Sequence, residues 1–416
     1  MKTIYVSGSP PVTPADGLSE SNPWSLQQLQ EYRPLPGDTI RLQGGVTYPL
    51  AIDWRDTGDP DRLKSIVLTT YGDGLATIAS GDRDGLVYSG PGALRLLGLL
   101  HFKGEGPLSS RSSGVLIEGN PNGEECAYLR FAGIRASGYG MGGLTISTST
   151  PIRHTNISHS IFEYNAAGIH VSGGRVGELS SRTVFDLIIE NVIASDNDWE
   201  GSDHGPYGLS LNGISGVKVH RCYCNRNGRL TSGAGHGGIL LRLCDNVEVW
   251  ESEFVDNSDP DRGSDGQGCV LDGVQKALIH YNLSRGNLNG GLEVMDEGDG
   301  EWSTDVTLRH NVSIEDNTGL MFFLRGGRNI RAEFNHILQS RYKALDLSGS
   351  GPDDKLMLLG NAFSSPMVFA MEAELPPLLK TEWLGNFWPE GKGFNVLGLG
   401  YHSSASDLRE KLEGVR

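Results

Sequence analysis

Gly268-Cys-Val-Leu-Asp272 follows Gly238-Ile-Leu-Leu-Arg242 at a distance of 30 residues, and Gly291-Leu-Glu-Val-Met295 comes next. In each, apolar residues hold the second and fourth positions, which is the two-residue period of a strand. The same pattern recurs at Gly143-Leu-Thr-Ile-Ser147, Gly168-Ile-His-Val-Ser172, Gly208-Leu-Ser-Leu-Asn212, Gly319-Leu-Met-Phe-Phe323 and Ala344-Leu-Asp-Leu-Ser348. Upstream of each lies another alternating stretch that ends in Asn: Asn165, Asn197, Asn227, Asn257, Asn287 and Asn317, the last five spaced 30 residues apart. A fixed period of short strands and turns marks a solenoid. Asn at a repeated corner tolerates the left-handed conformation and can bond to the turn above it.

Helical repeats are excluded by the period, and no propeller-blade signature of four strands per roughly 40–45 residues is visible. The sequence therefore predicts an all-β, single-stranded parallel β-helix of roughly ten to twelve coils, rising about 4.8 Å per coil. We read one domain over 1–416, with an N-terminal cap and first coil at 1–50, coils over 51–350, and last coils and a C-terminal cap at 351–416. Asn22 as N-cap, Pro23 at the first helical position and Trp24, Leu26 and Leu29 predict a short helix covering the open end of the first coil. Ser406–Glu413 predicts a second short helix near the C-terminus.

This register sets which residues meet. The second and fourth positions stack inside, and the third and fifth point outward from one long face. The fifth column contains Asn212, Arg242, Asp272, Met295 and Phe323, and the third contains His170, Glu293 and Asp346. From corner Asn to strand Gly takes eleven residues in three consecutive coils, 197–208, 227–238 and 257–268. Enlarged loops on a regular scaffold carry function. They bring Trp199, His204, Tyr207 and His236 to one edge of the face.

Composition narrows the partners. Asp+Glu 51 against Lys+Arg 35 gives a net charge of −16, which disfavours nucleic acid, anionic membrane and, less strongly, polyanionic polysaccharide. The five cysteines match no metal-binding spacing and read as small core hydrophobes. No apolar run is long enough for a membrane span, and no signal-peptide block opens the chain. The chain reads as cytoplasmic, or as secreted with its leader removed.

The densest carboxylates lie between Asn257 and Glu297. Arg242 is the aligned neighbour of Asp272 one coil away, and a nearby guanidinium favours the ionised carboxylate. Asp265, farther from Arg242 and among Asp259, Asp261 and Glu293, is expected to hold its proton. Two carboxyls in opposite states suit glycosidic cleavage, one acid at the leaving oxygen and one anion at the anomeric centre or its water. Trp199, Tyr207 and Phe323 offer flat apolar surface to a sugar ring, and His204, His236, Asn212, Arg242 and Glu293 offer polar contacts. The blander reading makes Asp272–Arg242 an exposed ladder pair and Asp265-Gly a turn. Asp296-Glu-Gly-Asp-Gly-Glu301 reads as a solvated loop, with Ca²⁺ binding as the lesser option. No other cofactor is expected.

Ile4-Tyr-Val-Ser7, Asn22-Pro-Trp24, Pro36-Gly-Asp-Thr-Ile40 and Gly44-Gly-Val-Thr-Tyr48 resemble the cap and first coil of pectate-lyase-like right-handed β-helix proteins. That resemblance implies a right-handed solenoid. More narrowly, Asp265-Gly-Gln-Gly-Cys-Val-Leu-Asp272 resembles the catalytic strand of glycoside hydrolase family 136, the lacto-N-biosidase type, and implies Asp265 as acid/base and Asp272 as nucleophile. The leading expectation is a glycoside hydrolase acting on a neutral or weakly charged glycan. Two alternatives stand beside it: a polysaccharide lyase or epimerase on a uronic-acid polymer, using Arg242 or a His as base with Ca²⁺, and a non-catalytic carbohydrate-binding solenoid.

Overall fold

The computed structural model describes the chain except residues 9–14, 56, 58–63, 108–110, 121, 175–181, 199–205, 230–234, 236, 259–264, 297–300, 350, 365–368, 389–392, 398–399, 403–407 and 409–416. It is an all-β, right-handed parallel β-helix of about 10 turns with few helices. Its contacts fall into two compact units. The first holds residues 1–175, 180–200 and 208–218, and the second holds 176–179, 201–207 and 219–416.

In the first unit the strands Ile52–Trp54, Leu86–Tyr88, Ser113–Glu118, Gly142–Ser147 and Ile169–Ser172 pair in parallel, each with the next. In the second, Gly237–Arg242, Gln267–Asp272, Gly290–Met295, Thr318–Phe323, Lys343–Ser348 and Phe369–Glu374 do the same. Every second- and fourth-position side chain, from Ile239 and Leu241 to Cys269, Leu271, Leu292 and Val294, is buried inside the coil. Val, Ile and Leu fit this role because their branched side chains pack well on a pleated surface.

Each coil has three strands rather than the two that the alternation suggested. After Gly237–Arg242 come Asp245–Trp250 and then Glu253–Val255. Glu251 breaks what reads as one stretch, sitting at φ 50 between the second and third strands. The same break falls at Arg221, Tyr281, His310 and Phe334 in other coils. A left-handed residue reverses the chain in a short space, so two strands join without a loop.

The corner asparagines form a ladder, but they are not themselves the left-handed residues. Asp196, Arg226 and Asp256, each just before its Asn, take φ 52–53. This aims the next N–H inward, where the side chain of the coil below receives it. The Oδ1 of Asn257 accepts from the backbone N and Nδ2 of Asn227 at 3.1 and 2.9 Å, and Asn287 does the same for Asn257 at 3.0 and 2.8 Å. The ladder then passes to Asp316, not Asn317: Asn287 donates both groups to Asp316 Oδ1 at 2.8 Å. The coil there is one residue shorter than the 30-residue rule. A second ladder, through Asn282, Asn311, Asn335, Asn361 and Asn386, runs at the other turn.

The N-terminal helix spans Leu26–Glu31, and its cap is Ser25 rather than Asn22. Ser25 Oγ accepts from Gln28 N, and Gln28 Oε1 accepts from Ser25 N, a reciprocal capping box that outcompetes Asn22-Pro23. Trp24 instead adds to the edge of the strand Thr3–Val6, accepting from Ser7 N and donating to Tyr5 O. A second short helix spans Leu375–Leu379. The helix read at Ser406–Glu413 lies, except for Leu408, outside the described residues. All five cysteines are free and buried, as core hydrophobes. Among the described residues no helix is long and apolar enough to cross a membrane.

Candidate active site

The predicted register holds in the second unit. Arg242 stands opposite Asp272, Asp272 opposite Met295 and Met295 opposite Phe323, while Val270, Glu293, Met321 and Asp346 form the neighbouring outward column. Arg242 Nε lies 3.1 Å from Asp272 Oδ2. The pair is not an exposed ladder rung: Asp272 is 3% exposed and the Arg242 side chain 29%. A carboxylate so removed from water must keep a compensating cation or donor to stay charged. Arg242 lies across it and is that cation.

Glu293 is also an outward residue that is covered, at 5% exposure. Gln267 Nε2 donates to its Oε2 at 2.7 Å. Gly290, the aligned neighbour of Gln267, leaves its space to the Met321 side chain. A Cβ at Gly290 would come within 2.4 Å of Met321 Sδ and 3.6 Å of Gln267 Cγ. Glu293 is on the rung next to Asp272 and two residues off its alignment. Strand spacing and rise then put the two Cβ atoms roughly 8 Å apart on the same face. Met295, Met321 and Phe323 follow as a half-buried apolar ledge, with the Arg325 guanidinium 4.9 Å from the Phe323 ring.

Asp265 sits at the other end of the strand. Its Oδ2 accepts from Gly235 N at 2.8 Å, so it fastens the end of one long connection to the next. Gly237 N reaches Pro206 O at 3.4 Å in the same way. The strand Gln267–Asp272 rises roughly 16 Å over its five steps. Asp265 and Asp272 therefore approach each other only as far as Gly266, at φ 93, folds the loop back over the strand. Asp259 and Asp261, the neighbours expected to keep Asp265 protonated, lie outside the described residues.

Of the expected sugar contacts, Trp199, His204 and His236 lie outside the described residues. Tyr207 is 5% exposed, with its ring edge where a Cβ on Gly237 would come within 3.0 Å of it. Asn212 belongs to the first unit, aligned with Ser172. The acidic loop is not solvated at its described ends. Asp296 is fully buried, accepting from Ser303 N at 2.7 Å through Oδ1 and from Arg325, Gly326 and Gly327 N at 3.1, 3.3 and 3.0 Å through Oδ2. Glu301 is buried as well. Asp296 thus spends its oxygens on backbone and has none to offer Ca²⁺. Among the described residues no His, Cys, Asp and Glu cluster is arranged to hold a metal.

The sequence reading overlooked Gln267, although it stands inside the quoted motif. Asp346, farther along the third column, has its Oδ2 2.6 Å from Lys343 Nζ, itself 2.7 Å from Glu372 Oε2. Burial raises the Asp346 carboxyl above its ordinary range, against the opposing pull of Lys343. The first unit has its own cleft of 440 Å³, lined by Asp53, Arg55, Asp82, Arg83, Asp84 and Arg111 among others.

The family model for the right handed beta helix region matches residues 142–363. Comparison with curated protein sequences finds no match. Among solved structures, a GH136 lacto-N-biosidase from Eubacterium ramulus superposes with a TM-score of 0.57 at 14% identity, over 93% of this chain and 68% of that one. An alginate lyase from Paenibacillus gives 0.40 at 11% identity, over 88% of this chain and 96% of that one. A GH87 α-1,3-glucanase catalytic domain in complex with nigerose gives 0.41 at 12%, over 93% and 69%. At these identities the likeness is one of fold.

Proposed function

The chain belongs to the right-handed β-helix family, and from that premise we propose that it is a glycoside hydrolase acting on a neutral or weakly charged glycan. The observation that carries this reading is the covered, outward-facing Asp272, held by Arg242 on a rigid rung beside Glu293 and an apolar ledge. Function must be argued from such a site, because this fold hosts several chemistries. Glycosidic cleavage needs an anion at the anomeric carbon or its attacking water, and Asp272 is that anion. Asp265 is the acid that the motif implies. Met295, Met321 and Phe323 offer the apolar face on which a sugar ring can lie. The helix Leu26–Glu31, which buries Leu29, keeps its proposed part as cover for the open end of the first coil.

A lyase reading needs Arg242 or a histidine as base; Arg242 is bonded to Asp272, and His204 and His236 lie outside the described residues. The test is a panel of neutral and N-acetylated oligosaccharides with wild type and Asp272→Asn. Wild type is expected to release reducing sugar, and the variant to lose at least about a thousandfold in kcat/KM. Undiminished turnover by the variant would remove Asp272 from the reaction.

A further inference from the structure

We propose that the cleft of the first unit is a non-catalytic binding site for a neutral sugar. The cleft lies wholly within that unit, and the inference does not depend on the hydrolase reading. Asp53 and Val87 are aligned on neighbouring rungs and point outward from the long face. Val87, 6% exposed, gives the cleft an apolar lining together with Ala51. The charged lining comes from three strand ends. Arg55 follows Ile52–Trp54, the Asp82–Asp84 turn precedes Leu86–Tyr88, and Arg111 precedes Ser113–Glu118.

Much of this lining is held before any ligand arrives. Arg55 lies between two carboxylates, with Nη1 2.7 Å from Asp53 Oδ2 and Nε 2.9 Å from Glu118 Oε2. Ser80 Oγ donates to Arg83 O at 2.8 Å, and Asp84 Oδ1 accepts from Ser113 N at 2.6 Å, so the turn is pinned from both sides. Groups already held in place lose little freedom on binding. Burial raises the Asp84 carboxyl above its ordinary range, against the lowering effects of the Ser113 N–H and Arg55. Among the described residues Asp84 Oδ2 has no hydrogen-bond partner. A half-buried oxygen that has already given up part of its water gains from a donor on a ligand.

Charge selects the ligand. Three arginines and three aspartates line the cleft, in a chain whose net charge is −16. Arg55 is taken by Asp53 and Glu118, whereas Arg83 and Arg111 form no ion pair with a described residue. A ligand therefore meets Asp82 and Asp84 as acceptors and Arg83 and Arg111 as donors. An anion suits the arginines but faces two like charges, and an amine fails in the opposite sense. A hydroxyl both donates and accepts, so a neutral polyol satisfies carboxylate and guanidinium together. Its C–H groups can lie on Val87 and Ala51. The volume of 440 Å³ falls within the roughly 300–1,000 Å³ of small-molecule sites. Asp53 is bonded to Arg55 and Asp82 is exposed, so no second covered carboxyl stands with Asp84 to cut a glycosidic bond.

The experiment titrates glucose, galactose, mannose, N-acetylglucosamine, lactose and cellobiose into the full chain carrying ¹³C-labelled valine methyls. Glucuronate and glucosamine serve as charged counterparts of glucose. The Val87 methyl signals, assigned by their loss in Val87→Ile, report on the cleft itself. At least one neutral sugar is expected to shift them with a Kd on the order of 1 mM, and neither charged counterpart to bind more tightly than glucose. The double variant Arg83→Ala/Arg111→Ala changes only exposed side chains, so it should unfold at the wild-type temperature and bind about tenfold more weakly. Asp84→Asn keeps an acceptor for Ser113 N and should also bind more weakly. Asp272→Asn, in the second unit, should bind at the cleft as wild type does. No movement of the Val87 signals with any of these sugars would overturn the proposal, as would tighter binding of glucuronate or glucosamine than of glucose, or wild-type affinity in the double variant. Loss of the Val87 shift in Asp272→Asn would overturn it too, by tying the sugar to the candidate active site. Glycan cleavage that survives Asp272→Asn and disappears in Asp84→Asn would show the cleft to be catalytic and defeat both this proposal and the place of Asp272 in the reaction.

Discussion

Asp316 shows how one substitution in a repeat changes the chemistry of a rung. At the equivalent corners the chain places Asn257 and Asn287, whose amides donate to one neighbour and accept from another. Asp316 only accepts: Oδ1 takes two bonds from Asn287, and Oδ2 takes one from Ser313 Oγ at 2.6 Å. Complete burial pushes its carboxyl from 3.8 up to about 6, against the lowering effect of those bonds. A carboxyl whose folded value exceeds its unfolded one binds more protons in the native state between the two. Its stabilising contribution is therefore present below about pH 4 and lost as pH rises through about 6. Asp316→Asn keeps the acceptor for Asn287 and lets an amide N–H meet Ser313. The variant is expected to be more stable than wild type above pH 7, by up to roughly 3 kcal/mol. Urea unfolding from pH 4 to 8 checks this: wild type should fall by that amount relative to the variant across the window. Parallel pH curves would show that Asp316 titrates alike in both states.

Between residues and coils, the turn is the unit that the sequence only half displayed. Asn311 holds the second ladder: its Oδ1 accepts Asn282 N and Nδ2 at 3.1 and 3.0 Å, and its Nδ2 donates to Ile279 O at 2.9 Å and Asn335 Oδ1 at 3.0 Å. All of these groups are buried, so deleting the amide strands several at once. Asn311→Ala is expected to lose roughly 3 kcal/mol, read as a lower urea midpoint with an unchanged slope. Asn311→Asp should lose no less at neutral pH, because its second oxygen would face the Ile279 and Asn335 oxygens where Asp316 meets the Ser313 hydroxyl. The first ladder was legible because long connections of equal length kept its asparagines at one spacing. The second was not: its rungs at Asn282, Asn311, Asn335, Asn361 and Asn386 follow coils that shorten as the loops disappear. The same reason explains the site. Arg242 and Asp272 sit in coils of equal length, so their contact could be read by counting. Gln267 to Glu293 crosses a shortened connection, where counting at a fixed period fails.

For the molecule as a whole, charge bears on what the face can receive. A net charge of −16 repels a polyanion at low ionic strength, and the repulsion fades as salt shortens the screening length from about 30 Å at 0.01 M to about 10 Å at 0.1 M. A neutral glycan feels little of this. The carboxyls of the candidate site act in the same direction, since Arg242 is already balanced by Asp272. A glycoside hydrolase of this charge should therefore cleave a neutral oligosaccharide with kcat/KM nearly constant between about 0.01 and 0.3 M salt. On polygalacturonate or alginate it should give little turnover at the low end, and any weak binding should grow with salt. A uronate lyase on the same fold behaves oppositely: it binds its polymer best at low salt, through bound cations or arginines, and releases a product that absorbs in the ultraviolet. Salt series on one neutral and one uronic-acid substrate, followed by reducing-end release and by absorbance, separate the two. A polyuronate turned over fastest at low salt, with an absorbing product, would exclude the hydrolase and give Arg242 a different partner from the one it has at rest.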